Sequence, residues 1–184
     1  MTARFDYCLA QVLEFEGGWT DDPIDPGGPT NKGIILKEYA KFLGIKDLVA
    51  VKEALRHIPD ADVASIYKKN YWDKVKADQL PVGLDQPVFD YAVNSGVKRA
   101  GLDLQKQLGF KDEDLDGVIG PKSLTAVSGI EDLPEFIKAY IERRRRFLRS
   151  LNTFWRFGNG WISRTDRLEQ QALAAISSGG SAVG

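Results

Sequence analysis

The sequence predicts a mainly α protein, built as helical lobes with one short irregular or β-hairpin segment after the first helix. Apolar residues recur at three- and four-residue intervals through most of the chain. Glycine, proline and aspartate concentrate instead in residues 17–35. Elsewhere prolines stand where helices begin (Pro87, Pro121) and glycines where they end (Gly17, Gly96). With 184 residues, of which 43% are hydrophobic, the chain can bury a sizeable core.

Phe5, Leu9, Val12 and Leu13 share a helical face, with Thr2 as candidate cap, so the first helix is expected to run to Glu16 and stop at Gly17. Residues 17–35 follow as turn chemistry that can include a short hairpin. Helical patterns then occupy about 36–43, 47–57 and 60–75, the last with Val63, Ile66, Tyr67 and Tyr71 on one side. Pro87 opens the helix VFDYAVNSG, and Val97 to Gly109 forms the next. Lys111 to Gly120 reads as a loop, Pro121 to about Val127 as a helix, and Leu133 to Leu151 as a long amphipathic helix. A final helix is expected from about Gly160 to Ile176, and residues 177–184 as a flexible tail.

Composition narrows the chemistry. Cys8 is the only cysteine and His57 the only histidine, which excludes an intrachain disulfide and a Cys/His zinc site. Neither metal nor cofactor is expected. The net charge of -1 gives no general attraction to nucleic acid. Arg143 to Arg146 do not change this, because four successive residues point around a whole helix rather than along one face. No run of 18 apolar residues suggests a membrane span. The N-terminus carries Asp6 and Glu14 within its apolar stretch and lacks a small-residue cleavage pattern, so it does not read as a secretory signal.

The stretch EFEGGWTDDPIDPGGPTNKG places Glu16 at the foot of an apolar helix, directly before two glycines. An ionised carboxylate is disfavoured at the negative end of a helix dipole, and burial beside Phe15 and Trp19 would act in the same direction. That is the environment of a general acid. Asp25 lies in a polar loop suited to an ionised carboxylate, and Thr30 can orient a water between them. Two carboxyl groups in contrasting surroundings suit glycosidic bond cleavage. Asx-turn formation is the competing role for Asp21, Asp22 and Asp25. Gly27 and Gly28 read as backbone devices that allow positive φ or close approach of a sugar chain. Trp19 is the candidate for stacking on a sugar, whereas Tyr71 and Trp72 read as core.

The spacing of Glu16, Asp25 and Thr30 resembles that of phage-type lysozymes, with the interval from Asp to Thr one residue shorter. The longer string EGGWTDDPIDPGGPTNKGI is similar to the signature of glycoside hydrolase family 108, departing from it at Trp19, where tyrosine is usual. LDQPVFDYAVNSGVKRAGLDLQKQLG, DGVIGPKSLTAV and the sequence to about residue 170 resemble the predicted type 3 peptidoglycan-binding region of that family. The resemblance implies a lysozyme-like α fold with two lobes, a catalytic one over 1–85 and a peptidoglycan-binding one over 86–176, packed as one unit. It implies cleavage of the β-1,4 bond between N-acetylmuramic acid and N-acetylglucosamine, with Glu16 as the catalytic acid. Asn94, with Tyr91 three residues before it, is placed by the resemblance in the substrate cleft.

The expected partner is bacterial peptidoglycan, and a monomer without stable membrane insertion is expected. A phage endolysin made in the host cytoplasm and released through holin pores fits these features. Two rivals remain at this stage. A lytic transglycosylase would use Glu16 alone, and a non-catalytic wall-binding or secretion-assisting protein would keep only the fold.

Overall fold

The computed structural model describes residues 2–21 and 28–179. Its backbone separates into two units, Met1–Asn70 and Tyr71–Gly184. Nine α-helices and one two-stranded hairpin are found among the described residues.

In the first unit, α1 (Ala3–Leu13) starts where the Thr2 hydroxyl accepts the Phe5 N–H, a cap typically worth about 1 kcal/mol. It buries Phe5, Cys8, Leu9 and Val12. The helix ends at Leu13, earlier than the apolar spacing suggests, because its last turn tightens. The Phe15 N–H donates to Val12 O at 3.0 Å and the Glu16 N–H to Leu13 O at 3.3 Å. Glu16 therefore stands just past the helix, still tied to its last carbonyls.

The hairpin expected after the first helix is formed by β1 (Thr30–Asn31) and β2 (Ile34–Ile35), paired antiparallel as Thr30 with Ile35 and Asn31 with Ile34. Its two-residue turn has positive φ at Lys32 (48°) and Gly33 (75°), the pattern that matches the twist of paired strands. Three helices follow: α2 (Leu36–Leu43), α3 (Leu48–Arg56) and α4 (Asp60–Tyr67). Asn31 fixes the hairpin to them, since its Nδ2 donates to the carbonyls of Leu55 and Arg56 at 3.0 Å each, at the end of α3. Beyond Tyr67 the helix does not continue as α to residue 75. It widens into a π turn over Lys68–Trp72.

The second unit is organised around α5 (Asp85–Ser95), which is buried on all sides from Asp85 to Ala92. It begins two residues before Pro87 because Asp85 Oδ1 accepts the N–H groups of Gly83 and Gln86. Trp72 meets Phe89 of this helix edge-on, with ring centroids 5.2 Å apart. Around α5 lie α6 (Val97–Gln107), α8 (Leu133–Arg149) and α9 (Phe154–Gly179), with α7 (Pro121–Ser128) following the 111–120 loop. α9 starts at Phe154, earlier than expected. Gly158 within it serves packing rather than termination: a Cβ there would lie 2.7 Å from the Phe154 ring.

The arginine run of α8 diverges as its spacing requires. Arg144 points inward to Asp90, Arg145 reaches Asp166 and Glu169 of α9, Arg143 contacts Gln107 of α6, and Arg146 is exposed. In the 111–120 loop, Gln105 of α6 donates to Asp116 and Val118 O and accepts the Gly117 N–H at 2.8 Å. These bonds from Gln105, with the Val118 N–H, hold the Asp116 carboxyl below the usual carboxylate range.

Candidate active site around Glu16

Glu16 is half-buried and is followed by Gly17 and Gly18, both exposed, with nothing within 4 Å of where their Cβ atoms would sit. The carboxyl group thus sits beside an open stretch of backbone that a polymer can approach. Phe15, next to it, is 39% exposed. On the inner side the carboxyl lies against the hairpin turn: Glu16 Oε2 is 2.9 Å from the position a Cβ on Gly33 would occupy. The Tyr67 hydroxyl oxygen lies closer still to that position. Gly33 is therefore required twice over, by its positive φ and by the two side chains converging on it.

The turn is held from other directions as well. The Tyr67 hydroxyl donates to Lys32 O at 2.9 Å, and Lys32 Nζ meets Asp60 Oδ1 at 2.5 Å. That bond keeps the Asp60 carboxyl below its ordinary range. Tyr67 and Lys32 were legible in the sequence only as a helix-face aromatic and a loop cation. Positive φ at Lys32, uncommon for a side-chain-bearing residue, is what brings its carbonyl to Tyr67.

The loop after Glu16 is closed at its base by Thr20 and Thr30, whose backbone groups exchange two hydrogen bonds of 2.9 Å. The Thr30 hydroxyl donates to Gly28 O at 3.1 Å, and Gly28 has φ +71°. Asp21 pairs with Lys52 at 2.6 Å, which ties the same loop to α3. Trp19 is half-buried with the Arg56 guanidinium 5.6 Å from its ring centroid. Asp25 and Gly27 lie outside the described residues. The first unit thus brings Glu16, Gly33 and Tyr67 together and places Trp19, Gly28 and Thr30 along the same loop.

Tyr91 and Asn94 belong to the second unit. Tyr91 is fully buried, donates to Asp103 Oδ2 at 2.7 Å, and lies under the Arg144 guanidinium. Burial, with the Asp103 carboxylate, pushes its phenol well above the usual range. Asn94 is exposed, and its Oδ1 accepts from the Ser95 hydroxyl at 3.1 Å. Among the described residues, no group of three or more His, Cys, Asp or Glu side chains is placed to hold a metal ion. No helix among them is long and apolar enough to cross a membrane.

Residues 9–96 match the family model described as Glycosyl hydrolase 108, and residues 99–166 match the one described as Predicted Peptidoglycan domain. A comparison with curated proteins gives no match. Among solved structures, SagA of Brucella abortus is similar at 39% identity, covering 93% of this chain and 94% of that chain with a TM-score of 0.78. The lysozyme-like, mainly α fold is thereby established along the chain, together with the hairpin after its first helix. The two family matches and the similarity to SagA together give the assignment: the chain belongs to the glycosyl hydrolase 108 family and is a glycoside hydrolase that acts on peptidoglycan.

Proposed function

We propose that the protein is an N-acetylmuramidase, hydrolysing the β-1,4 bond between N-acetylmuramic acid and N-acetylglucosamine with Glu16 as general acid. The observation that carries this reading is the seating of the Glu16 carboxyl against Gly33 and Tyr67, beside the exposed Gly17 and Gly18. Glu16 gives its proton to the glycosidic oxygen as the bond to the anomeric carbon breaks, so the leaving sugar departs as an alcohol. Asp25 acts as the ionised partner, taking a proton from the attacking water or steadying the oxocarbenium-like transition state, while Thr30 orients that water. The motif spacing supports these two roles, and the Gly17–Gly18 step supports an extended glycan as substrate. A division of labour between a catalytic lobe, read as 1–85, and a binding region, read as 86–176, is supported in its order by the two family matches, whose boundary falls later, between residues 96 and 99.

The test is mass spectrometry of the soluble fragments released from purified peptidoglycan by wild type and Glu16→Gln. Reducing N-acetylmuramic acid ends are expected from the wild type, with a loss of roughly 10²- to 10⁴-fold in the variant. Anhydro ends would instead make it a lytic transglycosylase, and undiminished release by Glu16→Gln would remove the assignment of the acid. The reading includes deployment as a phage endolysin, on the strength of the family resemblance. Lysis on coexpression with a holin, and none without it, is the outcome expected.

A further inference from the structure

We infer that Tyr67 is the positioning residue for Glu16, its fixed phenol oxygen holding the carboxyl against the hairpin turn in one orientation. This rests on the reading of Glu16 as the general acid.

A glutamate side chain has three rotatable bonds, and Glu16 stands outside its helix, next to two glycines that offer it no side chain to pack on. A general acid without fixed orientation loses much of the advantage of proximity, since a misplacement of about 1 Å can cost roughly 10²-fold in rate. Tyr67 is a rigid feature of the surroundings. It is 2% exposed, and its ring is part of the core of the first unit. Its hydroxyl is pinned at the other end by donation to Lys32 O at 2.9 Å. Lys32 is in turn fixed by Asp60 and by the positive φ of the turn. The phenol oxygen is therefore a fixed point, and it converges with Glu16 Oε2 over the bare Cα of Gly33. The hairpin glycine makes the convergence possible, because any side chain at 33 would occupy the space the two oxygens share.

The structure offers an internal comparison. Tyr39, in the same unit, is equally buried and donates to Asp62 at 2.7 Å. Burial and that bond push its phenol up to about 12, but nothing places it at Glu16. Removing either hydroxyl deletes a donated hydrogen bond of a buried tyrosine. Of the two, only Tyr67 lies at Glu16 Oε2 over Gly33.

The experiment measures kcat and KM on solubilised peptidoglycan for wild type, Tyr67→Phe, Tyr39→Phe and Glu16→Gln, with thermal melting of each. Tyr67→Phe is expected to lower kcat roughly ten- to hundredfold while KM stays within about twofold, because orientation rather than binding is lost. Tyr39→Phe is expected to keep its kcat. Wild-type kcat in Tyr67→Phe, a loss carried by KM, or an equal loss in Tyr39→Phe overturns the inference while an inactive Glu16→Gln leaves the acid in place. An active Glu16→Gln overturns the reading beneath it. Should Tyr67→Phe not fold, 3-fluorotyrosine at 67 retains ring and hydroxyl while weakening the oxygen as an acceptor. A selective fall in kcat is expected there too, and an unchanged kcat counts against the inference.

Discussion

Asp90 Oδ1 and Arg144 Nη1 meet at 2.5 Å inside the second unit, with both side chains less than 5% exposed. Arg164 reaches the other carboxylate oxygen at 2.8 Å. Burial alone would push the Asp90 carboxyl up, but Arg144 and Arg164 together outweigh it and hold it below the ordinary range. Deleting the carboxylate leaves two buried guanidinium groups facing each other, so Asp90→Ala is expected to cost about 3–5 kcal/mol in chemical denaturation. The pH dependence has a fixed sign. A carboxyl with a depressed folded value contributes stability that is fully present above about pH 4 and is lost as pH falls through the lower folded value. Between about pH 5 and pH 2 the melting temperature is expected to fall more steeply with pH in wild type than in Asp90→Ala.

That network also marks what sequence could not convey. The helices at 36–43 and 97–107 were readable because local signals and tertiary packing agree there: amphipathic faces, a glycine after each and, in the second, a glycine before it. Glu16 stood out in the sequence because the string around it is long and specific. Tyr67 was not, since its role depends on a 35-residue sequence separation and on an uncommon positive φ at Lys32. Asp90 and Arg144 are 54 residues apart and individually look like solvated charges. The start of α9 at Phe154, ahead of the expected Gly160, has a related cause: nothing local distinguishes a glycine outside a helix from one, such as Gly158, that lets an aromatic ring lie against it.

Gly33→Ala separates the two demands on that glycine. Positive φ costs an alanine about 1–2 kcal/mol. The added Cβ would also displace Glu16 and Tyr67. Gly44 provides the control, having φ +69° at the end of α2 with nothing within 4 Å of its Cβ position. Both alanine variants are expected to lose similar backbone stability in thermal melts. Only Gly33→Ala is expected to lose turnover, roughly tenfold or more.

Gly101→Ala addresses the contact between α6 and the 111–120 loop. A Cβ at 101 would overlap the carbonyl group of Gly117, which is backbone and cannot rotate away. Either the loop lifts or the Gln105 bonds to Asp116 and Gly117 lengthen. Overpacking of this kind costs about 1–3 kcal/mol. Denaturant titration of the second unit's unfolding is expected to show it, and the neighbouring Leu102→Ala is expected to leave the amide exchange of Gly117 slower than Gly101→Ala does.

Asn31 joins the hairpin beneath Glu16 to the end of α3, and its chemistry predicts an order among substitutions. Its Nδ2 donates to two carbonyls, Leu55 O and Arg56 O, and only 7% of the residue is exposed. Asn31→Ala deletes both bonds and leaves buried acceptors, for a loss of about 1–3 kcal/mol. Asn31→Asp is expected to be worse at neutral pH. An ionised carboxylate has no proton to donate, and it would face carbonyl oxygens at the negative end of a helix dipole. Protonation restores a donor at the same place, so the introduced carboxyl would titrate above its unfolded value. The stability of Asn31→Asp should therefore rise as pH falls from about 7 toward 4, the opposite sign to Asp90. Melting temperatures of the three proteins at both ends of that range test the order, and a flat profile for Asn31→Asp would show that its side chain had swung out to water.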